Sequence, residues 1–354
     1  MILGRRGFLG MGLAAGCARA LGAEPAATKL MLGYDNFAVR GMGWKAPALI
    51  EHAVKLGVDA LFVTDLDAFE SLEENALLEI RKQAEAAGVK LFLGTWSICP
   101  TSKSFKDNRG SAGEHLALGI RSAKALGSPV LRVVLGSAED RLTPGGIEAR
   151  IADTVEVLKK HRGLAIDAGV KIAVENHAGD LHSLELKQLV EAAGTDFVGV
   201  NLDSGNAVWC LETPLQNLEN LAPHVLTTSL RDSAIWDSEN GVTVQWTAMG
   251  EGMVDWKTYF ARFAELCPDA PVNIETISGF NRELPVDTEA FWKAWPKGKP
   301  ASYAAYREWA ASGKPREPWS APEDGDKQEA ERTYQLGEIA RSIAFCKKLG
   351  LGRR

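Results

Sequence analysis

KLGVDALFVTD (55–65), AAGVKLFLGTW (86–96), ALGSPVLRVVLG (125–136), DAGVKIAVEN (167–176) and AAGTDFVGVNLD (192–203) share one pattern: a helical stripe stops at a glycine and a β-rich apolar run begins at once. Glycine suits the left-handed position that closes a helix. KLMLGYD (29–35), HVLTTSLRD (224–232) and PVNIETIS (271–278) bring the strands to eight. Most are continuous apolar runs, as in parallel sheets covered on both faces. Eight strand–helix units predict an α/β protein with a single (β/α)8 TIM barrel over residues 29–350, in which the C-terminal strand ends carry the active site. An open doubly wound sheet fits less well, given the count of eight and the lack of a Gly-rich phosphate loop after the first strand.

Two segments lie outside the repeat. The stretch 326–349, with Tyr334, Leu336, Ile339, Ile343 and Phe345 near helical spacing, reads as the last barrel helix. Residues 281–325 form an insertion after strand eight that holds Phe291, Trp292, Trp295, Tyr303, Tyr306, Trp309 and Trp319. As an extended loop at the active-site end, its aromatics would stack on sugar faces or plug a neighbouring subunit of a homo-oligomer. A small satellite core accounts for them equally well.

The chemistry is concentrated where apolar runs end in acids: Glu175 in KIAVENHAGD, Asp203 in VGVNLDSGNA and Glu275 in VNIETISG, 28 and 72 residues apart. Taken singly, each reads as a capping or salt-bridged acid. Three at strand ends of one barrel imply a cation site, because a divalent metal satisfies several buried carboxylates together.

Composition sets the outer limits. The 354 residues are 45% apolar and 24% charged, with a net charge of -6, which describes a globular chain and argues against nucleic acid as a partner. No stretch after the N-terminus is long enough to span a membrane. Residues 1–23 depart from the rest: Arg5 and Arg6 precede Phe8, Leu9 and an apolar run, with small residues at Ala18, Ala20 and Ala23. They read as a twin-arginine export signal and place the mature chain in the periplasm. Cys17 in LAAGC makes only a weak lipobox, so a lipid anchor there is the lesser expectation. Cys99, Cys210, Cys267 and Cys346 have no paired spacing and read as buried thiols.

VENHAGD, VGVNLDSGNA, VLTTSLRDS, MGEGMVDW and VNIETISG, in this order, resemble the strand-end motifs of the sugar phosphate isomerase/epimerase family, the xylose isomerase-like TIM barrels. The resemblance covers residues 29 to 280 and the closing helix. It implies a divalent ion, Mn, Mg or Zn, held by a Glu, an Asp, a His and a Glu from strands five to eight. Glu175, Asp203 and Glu275 occupy three of these positions. The fourth departs from the pattern, because the His of the family's His-x-x-Asp stretch is Ser229 here, followed by Leu230, Arg231 and Asp232. A hydroxyl is a far weaker ligand than imidazole for transition metals. His177 is a candidate replacement donor, or else a substrate-facing residue. The remaining histidines form no ligand pair, which argues against the superfamily's DNA-repair endonucleases with their His-rich zinc sites.

The implied chemistry is proton transfer next to a carbonyl, with the enediolate stabilised by a cation. Glu175 and Glu275 would be the acid/base pair and Asp203 a ligand. Arg132, His177, Asn206, Arg231 and Glu251 are the substrate-binding candidates. No phosphate site is marked, so a keto-sugar or keto-glycoside is expected. The enzyme would be an isomerase or epimerase, or a lyase that uses the same enolate. A carbohydrate-binding barrel that lost catalysis with the strand-seven His is the reading from another class.

Overall fold

The computed structural model describes residues 29–353. The expected export signal and Cys17 lie outside the described residues. Eight parallel strands follow one another around a nearly closed barrel: β1 (Leu32–Asp35), β2 (Ala60–Val63), β3 (Lys90–Ser97), β4 (Val130–Val134), β5 (Lys171–Glu175), β6 (Val198–Leu202), β7 (Val225–Thr228) and β10 (Val272–Ile274), with β10 hydrogen-bonded back to β1. Between β7 and β10 the ring is joined by the chain just beyond β7. Leu230 N–H donates to Asn273 O at 2.8 Å and Glu275 N–H to Leu230 O at 2.9 Å. The (β/α)8 barrel expected from the eight runs is therefore the observed fold.

The glycine junctions explain the regularity. Gly57 and Gly127 sit at φ 61° and 73° and close helices Ala46–Leu56 and Ala112–Leu126, each N–H bonding back into the last turn. Gly194 differs: at φ 123°, ψ 114° it leaves helix Ser183–Ala193 outside the left-handed helical region. Strands β1, β2, β4 and β6 are buried at every position, as strands between a helical shell and a filled interior should be. Ala60, Phe62, Phe92 and Val130 pack as an inner cluster within the barrel. Because the pleat alternates, Arg132 follows Val130 on the inward face, and Glu175 and Asn201 are register partners on adjacent strands.

The sequence reading missed a hairpin. After β7 the chain forms β8 (Asp232–Ser238) and β9 (Gly241–Thr247) before reaching helix Trp256–Leu266. β9 also pairs antiparallel with β11 (Asn281–Leu284), which opens the aromatic insertion. Val244, Trp246, Leu284, Trp295, Tyr306 and Ala310 bury themselves in this second core. The insertion's aromatics thus divide. Trp295 and Tyr306 are core residues, whereas Trp319 stacks on Tyr334 of the closing helix Lys327–Lys348 at 4.1 Å. All four described cysteines are buried free thiols. Among the described residues, no helix is long and apolar enough to cross a membrane.

Tyr306 is fully buried in the second core. Truncating a buried aromatic costs lost transfer energy plus a cavity, so Tyr306→Ala should lower unfolding stability by about 3 kcal/mol in denaturant titrations. A loss under about 1 kcal/mol would mean that the insertion does not depend on that core.

Candidate active site

Glu175 ends β5 and is 1% exposed. Its Oε2 accepts from Arg132 Nε at 2.5 Å and from Asn201 Nδ2 at 2.7 Å, while Oε1 accepts a long bond from Asn206 Nδ2 at 3.4 Å. Arg132 is fixed in turn by a 2.9 Å bond to the Thr95 carbonyl. Gly94 leaves it room, since a Cβ there would lie 3.1 Å from Arg132 Cδ.

Asp203 follows β6 and caps helix Ser204–Trp209. Its Oδ1 accepts from the backbone N–H of Gly205 and of Asn206, both at 2.8 Å. Its Oδ2 accepts from Asn206 Nδ2 at 2.7 Å and from Arg231 Nη2. Asn176 clamps the Asp203 backbone from both sides, accepting its N–H at 2.9 Å and donating to its carbonyl at 2.7 Å.

Arg231 is the hub. The same Nη2 that reaches Asp203 also donates to Glu275 Oε2, so one guanidinium joins two of the three strand-end acids. Its carbon lies 4.3 Å from the centroid of the Trp246 ring, a cation–π contact. That ring stacks on Trp209 at 4.0 Å and donates to the Gly205 carbonyl at 3.1 Å. A Cβ at position 205 would overlap Arg231 Cγ and Cδ. Arg231 Nε is buried without a hydrogen-bond partner.

Ser229, at the expected fourth ligand position, donates to Asp35 Oδ2 at 3.2 Å and accepts from Asn201 Nδ2 at 3.2 Å. His177 Nδ1 donates to the Gly136 carbonyl at 2.7 Å, which leaves Nε2 as an acceptor at the mouth beside Trp96. Burial first, with Arg132 adding to it, pushes the His177 pKa down, so the ring is neutral at pH 7.

The four carboxylates, Asp35, Glu175, Asp203 and Glu275, are all buried and share two guanidinium groups. Their proton affinities separate accordingly. Burial raises Glu175, but the charge and hydrogen bond of Arg132 outweigh it and hold the carboxyl below its ordinary range. Burial raises Glu275 above the ordinary range against the pull of Arg231, with the Glu175 charge adding to the rise. Burial also pushes Asp203 up to about 8 and Asp35 well upward. The two glutamates are thereby displaced in opposite directions, the pattern of an acid/base pair.

Sequence reading placed Glu175, Asp203, Glu275, Arg132, His177, Asn206 and Arg231 in one site, and they converge. It also named Glu251, which lies elsewhere: its carboxylate pairs with Arg341 at 2.6 Å on the outer surface. The loop around it is held instead by Asp232, which accepts from the N–H groups of Gly250, Gly252 and Val254. Asp35, Asn201 and Trp246 were missed. Asp35 carries the same signal as the other acids, a carboxylate closing the apolar run LMLGYD, and Trp246 lies on a hairpin marked by Asn240-Gly241.

A divalent ion does not fit this arrangement. Asp203 and Glu275, two of its three expected ligands, are bridged by the Arg231 guanidinium, and both donors on Glu175 Oε2 are N–H groups. Ser229 presents a hydroxyl already engaged with Asp35. Among the described residues, no group of three or more His, Cys, Asp or Glu side chains is disposed to hold a metal ion. In the structure Glu175, Asp203 and Glu275, the expected ligands, are engaged by the guanidinium groups of Arg132 and Arg231.

The chain is similar to several known proteins. The chain is 24% identical over 211 residues to a 3-oxo-isoapionate decarboxylase of Pectobacterium atrosepticum, covering 59% of this chain and 69% of that protein. A crystal structure of D-psicose 3-epimerase with D-fructose superposes with a TM-score of 0.59 at 15% identity, over 90% of this chain and 99% of the other. The IOLI protein with a bound zinc atom gives 0.56 at 17% identity, over 80% and 100%. These two structural likenesses speak for the fold. The family description matches residues 50–294, and the chain belongs to the xylose isomerase-like TIM barrel family.

Proposed function

We propose that this protein is an isomerase or epimerase of a keto-sugar or keto-glycoside, acting by proton transfer α to the carbonyl. The observation that carries the reading is the opposite displacement of Glu175 and Glu275 around shared cationic groups. The ionised Glu175 takes the proton from the carbon beside the carbonyl. The C–H electron pair becomes the C=C bond of an enediolate, and the carbonyl pair moves to oxygen. Glu275 in its protonated form returns a proton to the opposite face of the same carbon, giving the epimer, or, once the adjacent hydroxyl proton has passed to the enolate oxygen, to the former carbonyl carbon, giving the isomer. Asn206 Oδ1 and the neutral His177 Nε2 each offer an acceptor to sugar hydroxyls.

A lyase using the same enolate is the second reading. It is favoured by the curated relative, whose name describes loss of CO2 from a 3-oxo acid, a step that also leaves an enolate. We further propose export by the twin-arginine route, supported by Arg5, Arg6 and the apolar run that follows.

Purified protein incubated in D₂O with ketoses and 3-keto-glycosides should exchange a substrate proton for deuterium, read by NMR. Glu175→Gln and Glu275→Gln should each slow that exchange by at least about 100-fold, in line with the worth of a positioned acid or base. Unchanged exchange in Glu175→Gln would overturn the assignment. A panel that releases an aglycone or CO2 instead would select the lyase.

The pH profile of kcat/KM should be bell-shaped. Glu175 must be ionised, so the acid limb falls below the ordinary carboxylate range. Glu275 must be protonated, so activity declines as pH rises through its elevated value. An alkaline limb that persists in Glu275→Gln would assign it to another group.

Replacing Arg5 and Arg6 together by Lys should leave the precursor in the cytoplasm on cell fractionation. Normal export of that variant would remove the twin-arginine reading.

A further inference from the structure

We infer that Arg231 stands permanently where a divalent ion would sit, and that this barrel carries out its enolate chemistry without a metal. Arg231 and Arg132 supply the positive charge. The inference rests on the proton-transfer reading above for its chemistry, but its structural half concerns the cation alone.

Four features make the guanidinium a built part of the site. It spans Asp203 and Glu275, which come from different strand ends. Its face is covered by Trp246, itself pinned between Trp209 and the Gly205 carbonyl. The space for its stem exists because residue 205 has no side chain. Finally, Ser229 offers no nitrogen ligand and spends its hydroxyl on Asp35 and Asn201. A dication added to this centre would meet two fixed guanidinium groups and carboxylate oxygens already holding N–H donors. It would be repelled by the former and would have to strip the latter.

The chemistry asked of the cation is neutralisation of the enediolate oxygen. Arg231 has a donor left for it: Nε–H is buried and unpartnered. A substrate carbonyl oxygen that reaches Nε–H would gain negative charge next to a guanidinium in a water-poor site, where a charge-assisted hydrogen bond is strong. The step balances without a metal. The proton goes to Glu175, the electron pair ends on the carbonyl oxygen at Arg231, and Glu275 supplies the returning proton. Because a guanidinium is planar and does not deprotonate, the cation is independent of metal supply.

Calorimetric titration of the EDTA-treated parent protein with MnCl₂ decides the structural half with no substrate present. No saturable binding below about 1 mM is expected, and stoichiometric uptake at micromolar Mn²⁺ would overturn the inference. The double variant Arg231→Ala/Ser229→His, which vacates the centre and restores the imidazole, should bind Mn²⁺ at least tenfold more tightly than the parent. If both proteins bind Mn²⁺ equally, Arg231 does not occupy the metal position. In the D₂O assay, parent exchange should be unaffected by EDTA, and Arg231→Lys should lose at least about 100-fold because Nε–H and the planar fork are gone. Exchange abolished by EDTA and restored by Mn²⁺ would also overturn it. A parent that neither binds Mn²⁺ nor exchanges any substrate would sink the proton-transfer reading and leave the occupied cation position standing.

Discussion

The Arg231 guanidinium between Asp203 and Glu275 is the interaction on which the rest of the mouth depends. Four buried carboxylates within one barrel end repel one another and lose hydration, and Arg132 and Arg231 are the arginines bonded directly to three of them. Withdrawing one partner from a buried ionic group typically costs about 3–5 kcal/mol, because the remaining charge is left uncompensated. The balance is asymmetric. Arg132 commits to Glu175 alone, whereas Arg231 is divided between two acids. Burial raises Asp203 and Glu275 beyond what a shared Arg231 offsets, whereas at Glu175 the pull of Arg132 outweighs burial.

The fold turns this charge arrangement into a position. A barrel strand alternates inward and outward, so an inward residue at the last turn of the pleat faces the mouth whatever the loop beyond it does. Glu175 is held in this way, and Asp203 and Glu275 follow directly after the ends of β6 and β10. Arg231 lies beyond the end of β7, where the chain leaves the barrel for the hairpin, and needs support from elsewhere. The hairpin provides it through Trp246, and the second core that buries Trp246 also contains Tyr306 and Trp295 from the insertion. A segment far along the chain therefore stabilises the orientation of a central cation.

Much of this was legible in the sequence because it depends on main-chain periodicity. The Gly57, Gly88, Gly127 and Gly169 junctions fix where strands start, and an acid at the end of an apolar run has to face either solvent or the mouth. Asp35 obeyed the same rule and was overlooked, since it stood apart from the three late acids. The hairpin was hidden for another reason. SAIWDS and VTVQW lie on either side of Asn240-Gly241 and form a good turn signal, but they follow a barrel strand at the point where a helix was due. Glu251 illustrates the opposite error. It was named as a substrate-binding candidate, yet the backbone of its loop turns toward Asp232 and the carboxylate turns outward to Arg341. The partner of Arg231 was beyond the sequence altogether, because a long side chain reaches any of several acids and only packing selects among them.

Gly205 carries a consequence at the level of sequence space. It caps nothing by its own side chain and has no unusual backbone angle, yet it provides the volume through which Arg231 reaches the centre. Size at 205 and length at 231 are thus one variable distributed over two positions 26 residues apart. A methyl group at the first closes the corridor to the second. A lineage that drifted to alanine there would need a short residue at 231 and a different source of positive charge, so the smallest residue in the mouth controls which kind of cation the barrel can use.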